Sequence, residues 1–76
     1  MGLKKQELID GCFAKAADDE PLFVLRATDK IAPAVVHFWI LQAKAAGTPE
    51  KKLREAQLLM IEMQKWQIEH GCKVPD

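Results

Sequence analysis

The stretch AAGTPE, residues 45–50, decides the fold that the sequence predicts. Gly47 is typical of the position that follows a helix, and Thr48 and Pro49 are typical of the cap and first position of the next helix. One helix is therefore expected to end at Ala46 and another to begin at Pro49. Because no residues are left for a longer connection, the two helices are expected to form a tight antiparallel αα-hairpin.

The second helix of this hairpin is expected over residues 49–70, with Gly71 behind its last residue. Helical spacing gives it one continuous apolar face, made of Leu53, Ala56, Leu59, Met60, Met63, Trp66 and His70. Ile61 and Ile68 widen this face, and Leu58 is the one apolar residue on the charged side. Methionine and tryptophan at this spacing fit either a core or an adaptable binding groove.

The first helix of the hairpin is expected over about residues 30–46, capped by Thr28 or Asp29, with Pro33 making its first turn irregular. Its centre, AVVHFWIL, is apolar at every position except His37. A helix that is apolar nearly all round is usually buried, so this helix is expected at the centre of the core. His37 is then either a half-buried, hydrogen-bonded side chain or a pH-sensitive, partner-contacting one.

Two shorter segments precede the hairpin. Residues 3–17 have the spacing of an amphipathic helix. Residues 18–28 favour a short helix with an acidic cap and Pro21 in its first turn, and a short buried strand over residues 22–25 is the alternative. The predicted fold class is therefore all-α, a small helical bundle built on the hairpin with one or two shorter N-terminal helices, in a single domain over residues 1–76.

The composition is that of a globular protein without a charge bias. Eleven acidic and eleven basic residues give a formal net charge of zero, whereas nucleic-acid binders usually carry a basic excess, and a charge near zero favours self-association. The N-terminus lacks the apolar core of a signal peptide, so a cytoplasmic location with reduced thiols is expected. The longest uncharged run, residues 31–43, is shorter than the roughly 20 residues of a membrane span, so no membrane association is expected.

The sequence contains no recognisable catalytic or cofactor-binding pattern. Cys12, His37, His70 and Cys72 make up the ligand inventory of a zinc site, but their spacing contains neither a C-x₂-C nor an H-x₃-H unit. The chain has no serine and no tyrosine, which excludes nucleophilic chemistry by those residues. A cysteine–histidine pair across two helices and a redox role for the two cysteines are the chemical alternatives. The sequence therefore predicts a non-enzymatic protein without a metal or a cofactor.

The apolar surface of the two long helices exceeds what one short chain is expected to cover. A domain of this size buries only about 60% of the surface of its unfolded chain, and Val36, Ile40 and Leu41 are expected to lack cover within the hairpin. A homodimer with twofold symmetry is the simplest solution, and a compact monomer is the alternative. The predicted dimer or partner interface consists of Val36, His37, Ile40, Leu41, Leu58, Ile61, Met63 and Trp66.

Two charged clusters are candidates for contacts with other molecules. Asp18, Asp19 and Glu20 form an acidic tip, which is either a solvated turn or a docking patch for a basic protein surface. A basic tip runs from Lys51 to Arg54. The acidic tip fits a protein-interaction module, whereas the basic tip fits a small nucleic-acid-associated regulator, which is the alternative function.

The run GCFAKAADDEPLFVLRATDKIAPAVVHFWILQA, residues 11–43, resembles a group of short uncharacterised proteins from proteobacteria and their phages. The resemblance lies in the order Gly-Cys, Asp-Asp-Glu-Pro, Phe-Val-Leu-Arg-Ala, Asp, Ala-Pro and a tryptophan within a helix, and it covers a little under half of the chain. That group has no assigned activity, so the resemblance transfers no functional residues. It implies a small bacterial or phage protein, a setting in which such proteins often bind and block a host protein.

Overall fold

The structure, a computed structural model, describes residues 3–5 and 11–74, apart from the side chains of Cys12 and Phe13. Its helices are α1 (Cys12–Lys15), α2 (Ala32–Ala45) and α3 (Glu50–His70). Helices α2 and α3 pack against each other, and the described residues contain no strand. The predicted all-helical hairpin is therefore confirmed. No helix among the described residues is long and apolar enough to cross a membrane.

The turn between α2 and α3 is the one that the sequence predicts. Gly47 has a φ of 87°, a conformation that glycine adopts without the steric penalty of a Cβ atom. The Gly47 amide donates to the carbonyl of Lys44 at 3.1 Å, and the Thr48 amide donates to the carbonyl of Ala43 at 3.0 Å. These two bonds close the C-terminus of α2 in a Schellman motif.

The predicted helix boundaries at this turn are shifted by one residue. Helix α2 ends at Ala45, and Pro49 rather than Thr48 is the N-cap of α3. Thr48 is not the N-cap because no first-turn amide of α3 donates to its carbonyl, while its own amide closes the end of α2. The Pro49 carbonyl instead accepts the first helical bonds of α3, from the amides of Lys52 and Leu53.

The predicted cap of α2 is wrong. Helix α2 has Ile31 as its N-cap, without a side-chain hydrogen bond, and Pro33 lies in its first turn. The carboxylate of Asp29 accepts a hydrogen bond from the amide of Arg26 at 3.4 Å. Asp29 therefore closes the turn that precedes the helix, and its main-chain carbonyl accepts from the amide of Ala32 at 2.9 Å.

The predicted short helix over residues 18–28 is also wrong, because residues 20–26 form neither a helix nor a strand. Ala17 and Glu20 close a tight turn, in which the Glu20 amide donates to the carbonyl of Ala17 at 3.1 Å. Only Leu25 and Ala27 from this region pack against the core. The predicted helix over residues 3–17 is described only in part, as helical residues 4–5 and α1, because residues 6–10 lie outside the described residues.

The C-terminal end of α3 is joined to the turn before α2. The amide of Lys30 donates to the carbonyl of Lys73 at 2.7 Å, and the amide of Lys73 donates to the carbonyl of Thr28 at 2.9 Å. These bonds make one isolated parallel bridge between Asp29 and Lys73. The side-chain Nε2 of Gln67 donates to the carbonyls of Ala27 and Asp29, at 2.9 Å each.

In the described part of the chain the core lies between α2 and α3, with Leu25 and Ala27 packed against it, and α2 is buried on one side only. The buried apolar residues are Ala32, Val36, Ile40 and Ala43 of α2 and Leu53, Ala56 and Met63 of α3. Ala32 and Ala56 have no exposed surface, which indicates that small side chains allow a close approach of the two backbones. The expectation that α2 is buried all round is therefore wrong, because the opposite side of the helix faces outward.

Candidate interaction surfaces

The outer face of α2 is defined here as Ile31, Ala34, Val35, Phe38, Leu41 and Ala45. All six residues are exposed; Phe38 keeps 62% of its surface and Leu41 keeps 53%. They lie on one side because their spacing matches the helical period, and the core residues Val36 and Ile40 lie on the other side. None of the six is charged, and the exposed Gln42, which helical spacing places beside Phe38 and Val35, is a polar residue on this otherwise apolar surface.

The outer face of α3, unlike that of α2, carries charged side chains among its apolar ones. Leu58, Ile61 and Ile68 are exposed there, with Leu58 at 58% and Ile68 at 85%. Helical spacing places the charged side chains of Arg54 and Lys65 between them. The outer face of α3 is therefore a mixed surface, in which isolated apolar side chains alternate with charges.

A third exposed surface is the docking segment, defined as residues 18–24. Its acidic residues Asp18, Asp19 and Glu20 are exposed, as the sequence predicts for a tip. The three apolar residues that follow Pro21 are exposed as well, and Phe23 is 84% exposed. The docking segment thus joins an acidic cluster to an apolar, non-helical stretch, and sequence analysis recognised only its acidic part.

The structure divides the predicted interface residues into two groups. Val36, Ile40 and Met63 are buried in the core of their own chain. The expectation that the hairpin cannot cover Val36 and Ile40 is therefore wrong, because α3 covers them. The remaining five residues are exposed and lie on different surfaces: His37, Leu41, Leu58, Ile61 and Trp66.

Trp66 and His70 were expected on the core face of α3, but both are exposed. Their rings stack on each other, with centroids 4.3 Å apart and an interplanar angle of 20°. The His70 Nδ1 lies 3.1 Å from the carbonyl oxygen of Trp66. The inward face of α3 continues instead through Met63 to Gln67, whose amide bonds the turn before α2.

An open depression of about 510 Å³ lies beside the helix contact. Its lining residues are Lys30, Pro33, Ala34, His37, Met60, Gln64 and Gln67. His37 is exposed at this depression rather than half-buried as one reading of the sequence expected. The lining offers hydrogen-bond donors from lysine, histidine and glutamine, but it contains no thiol, hydroxyl or carboxylate.

The residues of the possible zinc site do not form a metal-binding cluster where they are described. No group of three or more histidine, cysteine, aspartate or glutamate residues in the described part of the chain could hold a metal ion. Cys72 is a free, exposed thiol, and the Cys12 side chain lies outside what the structure describes.

The basic tip stands at the N-terminal end of α3. Lys51, Lys52 and Arg54 are all exposed. The Lys52 Nζ lies 3.9 Å from Glu55 Oε2, and both side chains are about half exposed. Such surface pairs contribute little to stability, but the carboxylate of Glu55 reduces the positive potential of the basic tip.

No protein-family model matches the sequence, and no curated protein or solved structure proves similar to it. The resemblance of residues 11–43 to short proteins of proteobacteria and their phages therefore stays a prediction. The fold and its surfaces define a small helical hairpin protein with one apolar helix face and one acidic, apolar segment exposed.

Proposed function

We propose that this protein is a small non-enzymatic interaction module, which forms a homodimer and acts by binding a partner protein. The observation that supports this proposal most strongly is the outer face of α2. This helix of 14 residues packs one side against α3, while Phe38 on the other side remains 62% exposed. Exposed apolar surface is unfavourable by about 25 cal/mol per Å², and contiguous exposed apolar patches usually mark interaction sites.

The docking segment provides a second surface, for the partner protein. Its acidic residues Asp18, Asp19 and Glu20 would face basic groups, and Phe23 would enter an apolar pocket beside them. An aromatic side chain in a pocket is a frequent anchor of protein interfaces, while complementary charges around it mainly accelerate association. The partner is thus a protein surface that combines an apolar pocket with a basic border.

The chemistry of the open depression supports a non-enzymatic role. Of the side chains in its lining, His37 is the type most often used as a general base. General acid–base or nucleophilic catalysis needs further groups within hydrogen-bond reach of such a base. The lining supplies glutamines and a lysine, which fit contacts with another polar surface better than bond cleavage.

The resemblance to short proteobacterial and phage proteins suggests a biological setting for this interaction module. In that setting a small protein that binds a host protein blocks one of its surfaces. The proposed action is therefore inhibition by occupation, which requires a binding surface and no chemistry.

Affinity capture with matched variants tests the partner-binding proposal. Tagged wild-type chain, Phe23→Lys and Ile68→Lys are expressed in the native host, and the bound proteins are identified by mass spectrometry. Phe23 and Ile68 are equally exposed, at 84% and 85%, so the two variants add the same charge at similar sites. We expect one partner that wild type and Ile68→Lys retain and Phe23→Lys loses. The same set of bound proteins on all three chains would contradict the proposal.

A further inference from the structure

We propose that the outer face of α2 is covered by the same face of a second copy of the chain, packed in antiparallel order. In this arrangement Phe38 of each copy lies against Ala34 of the other copy. The inference rests on the proposed function, in which the chain forms a homodimer, and it assigns the surface and the orientation of that contact.

The spacing of the outer face of α2 is that of a helix–helix seam. Ile31, Ala34, Phe38, Leu41 and Ala45 follow one another in alternating steps of three and four residues. This is the repeat that lets apolar side chains of one helix insert between those of another. The core side of α2 already packs against α3, so the seam belongs to a second contact on the opposite side of the helix.

The outer face of α3 is a poorer candidate for a contact between two copies. Lys65 lies between Leu58 and Ile68 on this face. A twofold contact centred there would bring Lys65 of one copy close to Lys65 of the other copy. Like charges that are brought together and dehydrated oppose association. The outer face of α2 contains no charged residue, so a symmetric contact brings no like charges together at its centre.

The sizes of the seam residues favour the antiparallel order. In parallel order each residue of the seam faces the same residue of the other copy. Ala34 then faces Ala34, which leaves a void, and Phe38 faces Phe38, which crowds the interface. In antiparallel order about an axis between these two positions, Phe38 faces Ala34 of the other copy on both sides of the axis. Ile31 then faces Leu41. Alternating large and small residues fill an interface without voids or strain.

The exposed area is sufficient for such a contact. Ile31, Val35, Phe38 and Leu41 of the outer face, together with Trp39 at its edge, are between 36% and 62% exposed. Because a large apolar side chain buries roughly 150–250 Å² when it is fully covered, these residues offer on the order of 500 Å² per chain. A dimer would then bury about 1,000 Å² in total, which is near the lower limit for a specific interface.

Sedimentation equilibrium of the full chain tests the assigned surface. Phe38→Lys and Leu58→Lys form a matched pair, because the two side chains are 62% and 58% exposed on opposite sides of the hairpin. We expect a wild-type dimer, an unchanged dimer for Leu58→Lys, and a dissociation constant at least about 30-fold higher for Phe38→Lys. Circular dichroism establishes that both variants remain helical. A monomeric wild type, or a dimer that Leu58→Lys rather than Phe38→Lys weakens, would overturn the inference.

Spin labels test the orientation. The label is attached to Lys44→Cys, beside the seam, in a chain with Cys12→Ala and Cys72→Ala. At 1.5 Å per residue the antiparallel order places the two labelled backbones about 25 Å apart, whereas the parallel order places them about 10 Å apart. The longer distance supports the inference and the shorter one overturns it.

The dimer and the binding of a partner protein can fail separately. If the chain is a monomer but still captures a partner through Phe23, only the proposed dimer is refuted. If the chain is a dimer but captures no partner, only the proposed partner binding is refuted.

Discussion

The side-chain Nε2 of Gln67 lies 2.9 Å from the main-chain carbonyl oxygen of Asp29, to which it donates a hydrogen bond across 38 positions of sequence. The same nitrogen donates to the carbonyl of Ala27 at 2.9 Å. Both bonds are partly buried, and they attach the turn before α2 to the last turns of α3. Gln67 thus acts together with the main-chain bonds of Lys73, which join the same turn to the residues after α3.

Replacement of Gln67 by alanine is expected to destabilise the protein. Gln67→Ala leaves two partly buried carbonyl groups without this donor, so the free energy of unfolding should fall by about 1–3 kcal/mol. Gln64→Ala, one turn earlier and exposed, is the matched control and should change it by no more than about 0.5 kcal/mol. Urea denaturation measures both. Equal effects of the two substitutions would show that the Gln67 bonds do not stabilise the fold.

Gly47 is expected to resist substitution for a backbone reason alone. No heavy atom beyond Gly47 and its two chain neighbours lies within 4 Å of the position that a Cβ atom would occupy, but its φ of 87° is unfavourable for L-residues. Gly47→Ala should therefore lower the free energy of unfolding by about 1–2 kcal/mol. Gly47→Asn should lower it less, because asparagine tolerates the left-handed conformation better than alanine. Thermal denaturation of the two variants checks this order, and a larger loss for asparagine would contradict it.

Ala56 is expected to be too tightly enclosed for a larger side chain. It has no exposed surface where α3 meets α2, and extra methylene groups in a filled core cost about 1–3 kcal/mol. Ala56→Leu should therefore destabilise the hairpin by this amount. Gln57→Leu, at the neighbouring exposed position, adds a leucine without entering the core and should have little effect. If Ala56→Leu left the denaturation midpoint unchanged, the two helices would be less closely packed than the structure indicates.

The basic tip is not expected to bind nucleic acid. Lys52 is paired with Glu55, and the whole chain has a net charge of zero, whereas non-specific binding depends on several cations that displace counterions from phosphates. Fluorescence anisotropy with a labelled DNA duplex at about 20 mM salt should detect no binding in the micromolar range. Binding that weakens with salt, and that Lys51→Glu and Arg54→Glu abolish, would instead establish the nucleic-acid-associated regulator.

The hairpin could be predicted from the sequence because its signals are local. Gly47 permits the positive φ of the turn and Pro49 fixes its own φ, whatever the rest of the chain does. The end of α3 at His70 is confirmed for the same reason, because Gly71 follows it with a φ of 85°. The predicted boundaries at the turn are shifted by one residue, because the first helical bonds of α3 go to the carbonyl of Pro49 rather than to that of Thr48.

The region before α2 could not be predicted because its conformation depends on distant partners. Asp18 and Pro21 are residues typical of the start of a helix. In the structure, however, Leu25 and Ala27 pack against the core, and Gln67 of α3 donates hydrogen bonds to the turn that follows. The signal that was available is Gln67. It follows Met60 and Met63 on the inward face of α3. Its position therefore indicates a polar side chain that points from α3 toward a neighbouring segment of the chain.

The side on which α2 is buried also could not be predicted from periodicity. The helix is apolar almost all round, so its sequence does not distinguish Val36 from Phe38 as the core residue. In the structure Ala32 of α2 and Ala56 of α3 have no exposed surface, and Val36 and Ile40 lie with them in the core. The uncovered apolar face that results is the basis of the proposed interaction surface.

Photo-crosslinking from position 38 tests the central proposal most directly. A benzophenone amino acid replaces Phe38, and the purified full chain is irradiated as an equal mixture of ¹⁴N-labelled and ¹⁵N-labelled protein, so that mass spectrometry separates links between chains from links within one chain. We expect a covalent dimer whose attachment point lies on α2 of the other chain, near Ala34. Attachment within the same chain, or to the outer face of α3 around Leu58 in a second chain, would contradict it.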